Sequence, residues 1–176
     1  MSELKPLRVK NLSLPKYDLA VLDWEDVEAA VAAAVAGPGR PWFLTTVNPD
    51  GSPHTTGFGH LWLDGAVHFT TDPGVRKTRN LVADPRCSVA APVTGFDVTF
   101  DGEARRVTDP AVVTEVAARY AALGWPAVAE GDVVTAPFSA PSAGPGPWQV
   151  YRIDLLAAVA LKNDGTEGGA TKWWFR

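Results

Sequence analysis

The stretch that decides the fold runs from residue 69 to residue 81 and reads Phe69-Thr70-Thr71-Asp72-Pro73-Gly74-Val75-Arg76-Lys77-Thr78-Arg79-Asn80-Leu81. A β-rich segment ends in two hydroxyls, and the Asp-Pro pair that follows predicts the N-cap and first position of a short helix ending near residue 83. Arg76 and Lys77 fall in its first turn, where free amides and the helix dipole favour an anion. The pattern indicates either a phosphate held by Thr70, Thr71, Arg76 and Lys77, or a solvated basic helix face.

The sequence around this stretch predicts mostly antiparallel strands. Upstream, a helix is predicted over residues 24–36, then strands over 42–47, 53–63 and 66–71 that form a meander, with Asn-Pro-Asp-Gly and Asp-Gly turns between them. Downstream, strands are predicted over 86–93, 96–107 and 148–161, and a helix begins at Asp109-Pro110. Many short strands with only three helices favour a small barrel over a doubly wound sheet.

We expect a single domain. Residues 1–22 mix proline and charge and are predicted to be an N-terminal arm with little structure of its own, followed by the barrel domain over residues 23–176. Residues 125–147 are rich in Pro, Ser and Gly and are predicted to form a long loop.

The length, charge and composition of the chain exclude several classes of protein. The chain has 176 residues, a net charge of -4 and one cysteine, and it lacks any apolar run long enough to span a bilayer. We therefore expect a cytoplasmic protein that binds neither nucleic acid nor membranes and contains no intrachain disulfide. His54, His60 and His68 lie in predicted strands without metal-ligand spacing, so we expect no metal site.

Three segments in the right order resemble the pyridoxamine 5'-phosphate oxidase-like split barrels. That family shows a strand ending in Thr with Arg-Lys five positions later at the start of a helix, which Thr71 and Arg76-Lys77 reproduce. The stretch over residues 45–54 resembles the family's first hairpin, and the stretch over 84–89 resembles the continuation after the helix. The resemblance covers residues 24–176.

The resemblance implies a mainly β fold, a six-stranded antiparallel split barrel of the FMN-binding type with flanking helices. It also implies a homodimer with the cofactor at the subunit interface, a small-molecule substrate and FMN as cofactor. The phosphate would lie on Arg76 and Lys77 beside Thr70 and Thr71, with the flavin ring along the strand that contains His54, Thr55, Thr56 and Gly57. Arg79 and Asn80 would reach the ribityl chain, a second phosphate or an acidic tail, with solvation as the alternative for both.

Gly57 also has a purely physical interpretation. A glycine within a strand marks a close approach by a ligand, or else a bulge or bend of the barrel.

The C-terminus departs from the oxidases themselves. Their Arg-rich closing motif is not matched by residues 171–176, which resemble the tail of the flavin/deazaflavin oxidoreductase branch. The deazaflavin coenzyme F-420 is therefore an alternative cofactor, and oxidation of a vitamin B6 phosphate is not expected. By analogy with the family, this tail and the 125–147 loop would cover the partner subunit's cofactor.

These features predict an FMN- or deazaflavin-dependent oxidoreductase that transfers hydride to or from a small organic substrate. In such enzymes the cofactor carries the chemistry and the protein supplies orientation and electrostatics, so no catalytic acid or base is nominated. The alternative is a non-catalytic split barrel that binds flavin, haem or another planar ligand, because fold does not fix function.

Overall fold

A computed structural model describes residues 4–35, 41–140, 144–165 and 168–176. The helices are α1 (Trp24–Val35), α2 (Arg76–Ala83) and α3 (Pro110–Ala122), with a short 3-10 helix at Pro15–Tyr17. The strands are β1 (Arg8–Asn11), β2 (Trp42–Val47), β3 (Pro53–Phe58), β4 (Leu61–Leu63), β5 (Ala66–Thr71), β6 (Arg86–Val93), β7 (Phe96–Val107), β8 (Val128–Glu130), β9 (Val133–Thr135), β10 (Ser139–Ala140), β11 (Gly144–Pro145), β12 (Trp148–Lys162) and β13 (Ala170–Trp174).

The barrel is one antiparallel sheet organised around β12. Its main path is β1-β13-β12-β7-β6-β2-β3. One edge of β12 pairs with β7, while the other edge pairs with β5 over residues 149–153 and with β13 over residues 157–161. The register against β7 shifts between Leu155 and Ala157, close to where the second partner changes. The predicted mainly β, antiparallel split barrel with flanking helices is confirmed.

Two apolar clusters hold the elements together. The first fills the barrel, where the inward side chains of β2, β6 and β7 alternate with outward ones and α1 closes one side with Val27 and Val31. The second lies under α3, which packs Val113 and Val116 against β4, β9 and β12. Removing these side chains from water is the main favourable contribution to folding.

Most helices and strands lie where local sequence patterns predicted them. The predictions for β2, β5, β6 and β7 match their bounds, and α1 begins at Trp24 as predicted, although its expected end at residue 36 lies outside the described residues. Asp109 caps α3 by accepting a hydrogen bond from the Ala111 amide at 2.9 Å. Asp64 and Gly65 both adopt positive φ, as a tight turn between β4 and β5 requires.

The predicted strand over residues 53–63 is interrupted, so the prediction of one continuous meander is wrong. The chain leaves the sheet at Gly59-His60, so that β3 pairs with β2 while β4 pairs with β5. β5 pairs with β12 rather than with β3. Its side chains are largely buried on both faces of the sheet, as suits a strand in the interior of the barrel.

The arm and the long loop have more structure than expected. β1 pairs with β13 through a register that joins Arg8 to Trp174, so the arm extends the sheet. Within residues 125–147, β8 and β9 form a hairpin and β9 joins β12, while residues 141–143 lie outside the described part.

Trp173 of the tail and Trp148 at the start of β12 belong to this chain's own core. Trp173 and Trp148 are buried, and Trp173 packs 5.5 Å from Trp24 between ring centroids. Trp125 contacts Trp148 at 5.3 Å. The expectation that the tail and the 125–147 loop cover a partner's cofactor stays a prediction.

Candidate cofactor site

The site is built on the turn between β5 and α2. Asp72 accepts a hydrogen bond from the Gly74 amide at 2.6 Å and so closes the turn, while the N-cap position belongs to Val75 without a side-chain cap. The predicted helix start at Asp72-Pro73 is therefore three residues too early. The helix begins at Arg76, which places Arg76 and Lys77 in its first turn as predicted.

Three cations lie at this helix start without acidic partners. Among the described residues, no carboxylate oxygen lies within 4.0 Å of a side-chain nitrogen of Arg76, Lys77 or Arg79, and the first turn of α2 contains no acidic residue. Arg79 donates a hydrogen bond to the carbonyl oxygen of Gly74. Partial burial lowers the pKa of Lys77. Positive charge at the positive end of a helix is unfavourable unless an anion offsets it.

The carboxylate of Asp50, in the turn between β2 and β3, interacts electrostatically with Arg76 of this cluster. The Ser52 hydroxyl donates to its carboxylate at 2.6 Å and is the main reason that the pKa of Asp50 lies below its ordinary value. The charge of Arg76 adds a smaller contribution.

The two threonines at the end of β5 differ in their surroundings. Thr71 is buried, and its hydroxyl lies 2.8 Å from that of Thr78, which donates to the Asp72 carbonyl at 2.7 Å. Because Thr78 gives its proton to that carbonyl, Thr71 donates to Thr78. Thr70 is partly exposed. Burial raises the pKa of Tyr120, and hydrogen bonds with Thr70 oppose that shift.

Asn80 is buried and contacts the β2–β3 hairpin. Its amide nitrogen donates to the Thr46 hydroxyl at 3.0 Å and to the Asn48 side-chain oxygen at 3.1 Å. Thr46 and Thr78 were missed by the sequence analysis. Thr46 could have been found from its position in β2. It follows Trp42 and Leu44 at alternate positions of the strand, so its side chain points into the barrel as theirs do.

β3 forms an open edge beside this helix. It is the last strand of the main path, and no strand in the described part of the chain pairs with its outer edge. In an antiparallel pair, backbone groups of alternate residues point away from the partner strand, so β3 presents free N–H and C=O groups. The Thr55 hydroxyl bonds that of Thr45 at 2.8 Å, and the Thr56 hydroxyl donates to the Gly57 carbonyl at 3.2 Å. The His54 Nδ1 atom is buried and has no hydrogen-bond partner among the described residues.

The structure connects the two halves of the predicted site. Asn80 of α2 bonds Thr46, and Thr46 lies opposite His54 in the β2–β3 ladder. α2 is therefore tied to β3 through β2. The helix offers a cluster of cations, and the strand offers free backbone groups along its outer edge.

The remaining reactive side chains belong to the barrel interior. The His60 ring stacks on Trp42 with centroids 3.9 Å apart, and burial lowers the pKa of His60. Burial, and then the charge of Arg152, lower the pKa of His68 to about 4. Burial raises the pKa of the Cys87 thiol to about 12. Within the described ranges, no group of three or more His, Cys, Asp or Glu residues is placed to hold a metal ion.

No helix in the described part of the chain combines the length and the apolarity needed to cross a bilayer.

Comparison with known proteins identifies related folds. The family model described as pyridoxamine 5'-phosphate oxidase matches residues 28–153. A pyridoxamine 5'-phosphate oxidase-related, FMN binding protein from Nostoc punctiforme PCC 73102 is 17% identical, with 88% of this chain and 90% of that chain covered and a TM-score of 0.57. A conserved hypothetical protein from Mycobacterium tuberculosis is 20% identical, with 86% and 95% covered and a TM-score of 0.57. The general stress protein 26 of Bacillus anthracis is 14% identical, with 77% and 93% covered and a TM-score of 0.53. No curated protein sequence gives a significant match.

Proposed function

Because this chain belongs to the pyridoxamine 5'-phosphate oxidase family, we propose that it is an FMN- or deazaflavin-dependent oxidoreductase that transfers hydride to or from a small organic substrate. The observation that carries the proposal is the first turn of α2, where Arg76, Lys77 and Arg79 lack acidic partners among the described residues. A phosphate monoester supplies the negative charge that this turn lacks. Charge-assisted bonds from Arg and Lys are the strong class of hydrogen bond.

The proposed arrangement runs from α2 along β3. Arg76 and Lys77 bind the phosphate, with Thr70 beside them, while Thr71 holds the turn in shape through its bond to Thr78. Arg79 lies on the same exposed side of the helix and faces a second anionic group or solvent. These assignments follow the charge and exposure of each side chain.

The ring system is proposed to lie along the open edge of β3. Alternate residues within 54–57 offer unpaired backbone donors and acceptors at the outer edge, which suit the polar rim of a flavin or deazaflavin. The partnerless His54 Nδ1 fits the same interpretation, because a buried polar atom is costly until a ligand or ordered water bonds it. Gly57 leaves room for a planar ring.

A bound flavin or deazaflavin supplies the hydride chemistry, and this chain's residues bind and orient it. The backbone of β3 fixes the ring edge, and Arg76 and Lys77 fix the opposite end of the molecule. We assign no residue a catalytic proton transfer.

We further propose that two copies assemble with the cofactor between them. Phe43 on β2 and Val82 on α2 are exposed apolar side chains, 41% and 76% accessible, on the two elements that flank the site. A second subunit would cover them and exclude water from the ring. Light scattering at micromolar concentration should give a dimer mass, and a monomer would contradict this part of the proposal.

The absorbance spectrum of the purified protein and ligand titrations test the function. We expect binding of FMN, of the deazaflavin, or of both at about micromolar affinity or tighter, and weaker binding of riboflavin, which lacks the phosphate. FMN is the first cofactor to test, since the Nostoc relative is described as FMN binding. Equal affinity for riboflavin and FMN would refute the phosphate assignment.

Steady-state turnover with a reduced cofactor and a panel of acceptors separates an enzyme from a non-catalytic binding protein. Binding without turnover across the panel would support the second function.

A further inference from the structure

The buried polar side chains of this protein concentrate at one place. Six polar or charged residues are buried in the described part of the chain: Thr46, His68, Thr71, Thr78, Asn80 and Thr171. Four of the six lie where α2 meets the ends of β2 and β5. Buried polar groups are costly unless hydrogen-bonded, so their concentration at one helix calls for a physical explanation.

These residues form two separate attachments of α2 to the barrel. In the first, Asn80 donates to Thr46 at 3.0 Å and to Asn48 at 3.1 Å, which ties the helix to β2 and to the turn that follows it. In the second, Thr71 bonds Thr78 at 2.8 Å, which ties the helix to the end of β5. Each attachment is complete, since every donor has an acceptor.

Directional bonds fix the rotation of a helix in a way that apolar packing does not. α2 has only eight residues, and of its side chains only Leu81 joins the barrel core. A short helix held by one apolar contact is free to turn about its axis. Side chains reach about 5–6 Å from the helix axis, so a rotation of about 30° moves a first-turn side chain by about 3 Å.

Asn80 is one helical turn from the cations. It follows Arg76 by four positions and Lys77 by three, so these side chains lie along adjacent rows of the helix. The bonds of Asn80 to the hairpin therefore set the direction in which Arg76 and Lys77 project. They also set the distance of these cations from β3, because Thr46 lies opposite His54.

We propose that Asn80 is a positioning residue, which holds the first turn of α2 against the β2–β3 hairpin and so makes the site selective for a phosphate monoester. This inference rests on the proposed function. Asn80 then orients the residues that bind the cofactor and does not touch the cofactor itself. The sequence alone also allowed direct contact between Asn80 and the cofactor.

The test compares FMN with riboflavin, because only the phosphate distinguishes them. Asn80→Leu removes the donor at similar volume, and the double variant Asn80→Leu/Thr46→Val replaces both partners by apolar groups of similar shape. Such a pair can be nearly neutral for stability, because the buried Asn80–Thr46 bond is replaced as a whole and the Asn48 side-chain oxygen, which loses its donor, is only partly buried and can bond water. Asn163→Ala is the control, since exposed Asn163 bonds Asp97 at 2.8 Å far from α2 in the sheet.

We expect the double variant to keep a melting temperature close to that of the wild type and to bind riboflavin within about twofold of it. Its preference for FMN over riboflavin should fall at least about fivefold, while the control keeps the wild-type preference. An unchanged preference, or a parallel loss of both ligands, would overturn the positioning role.

A cofactor-independent measurement keeps this test separate from the proposed function. Hydrogen exchange of the amides of residues 78–80 should be at least about tenfold faster in the double variant than in the wild type. If the wild type does not prefer FMN to riboflavin, the phosphate assignment fails, and exchange alone decides whether Asn80 holds the helix. Unchanged exchange would then overturn the inference.

Discussion

Gly57 lies directly opposite Phe43 in an unbroken β2–β3 ladder. The register runs without a shift from Trp42 opposite Phe58 to Val47 opposite Pro53, so no bulge is present at Gly57. A Cβ atom at Gly57 would meet only the Trp42 carbonyl oxygen, at 3.9 Å, which is an ordinary contact. Neither a bulge nor packing within the chain requires glycine here, and this supports the proposed close approach of a planar ligand.

Gly57→Ala should therefore weaken the binding of FMN and of riboflavin by about tenfold each, since the new methyl group occupies space proposed for the ring. Stability should be unchanged or slightly higher, because alanine loses less backbone entropy than glycine on folding. Titration with both flavins and thermal unfolding measure the two effects. Gly59→Ala is the matched control, because a Cβ there meets no atom within 4 Å. Equal flavin affinity in the two variants would contradict the ring placement.

The double change Arg76→Ala/Lys77→Ala should weaken FMN binding at least about tenfold. Charge-assisted hydrogen bonds contribute roughly 1.5–3 kcal/mol, and about 1.4 kcal/mol corresponds to one decade in affinity. Riboflavin binding should barely change. Stability without cofactor should be equal or slightly higher, since cations at a helix N-terminus oppose its dipole.

Arg105→Ala removes a positive charge on β7, where Arg105 pairs with Glu103 at 2.9 Å, and it should leave FMN affinity nearly unaltered. If this variant and the double variant bind FMN alike, the basic turn is a solvated helix face.

His68 should make the folded protein less stable in acid. It is buried on β5 near Arg152, Asp64 and Asp154, and its pKa falls from 6.5 to about 4 on folding. The unfolded chain therefore binds the proton first, so the stabilisation is complete above pH 6.5 and is lost as the pH falls toward 4. The loss amounts to roughly 3 kcal/mol, from about 1.4 kcal/mol per pKa unit.

Urea unfolding at several pH values between 7 and 4.5 measures this dependence. His68→Leu should flatten the curve over that range, and the remaining slope should include a contribution from His60, whose pKa shifts in the same direction. The same slope in the variant and the wild type would show that His68 does not titrate as described.

Gly102→Ala should destabilise the barrel by about 1–3 kcal/mol, the usual cost of overpacking a core. A Cβ at Gly102 would lie 2.6 Å from the carbonyl oxygen of Asp154 and 2.7 Å from the Cγ2 of Ile153. Gly102 stands opposite Leu155, beside the register shift of β12. Denaturant unfolding tests this, and a loss no larger than that of Gly59→Ala would show that the strands separate easily at this point.

The sequence was most informative where neighbouring residues decide the structure. Alternating side chains located β6 and β7, Asp109 located the start of α3, and the spacing from Thr71 to Arg76 located two cations in a first helical turn. Each of these signals acts over a few residues, through backbone geometry, capping and periodicity. The structure of the arm was missed because β1 forms only against the distant β13. In the 125–147 loop the β8–β9 hairpin is local, and only the pairing of β9 with β12 joins distant residues.

The sequence by itself determined a small antiparallel barrel and a basic helix start after β5. Only the tertiary structure decided that β5 pairs with β12, that Trp173 fills this chain's own core, and that Asn80 bonds Thr46 rather than solvent. The physical reason is distance along the chain. Thr46 and Asn80 are 34 positions apart, and no local pattern specifies which of many polar side chains will meet once the two apolar clusters have brought their elements together.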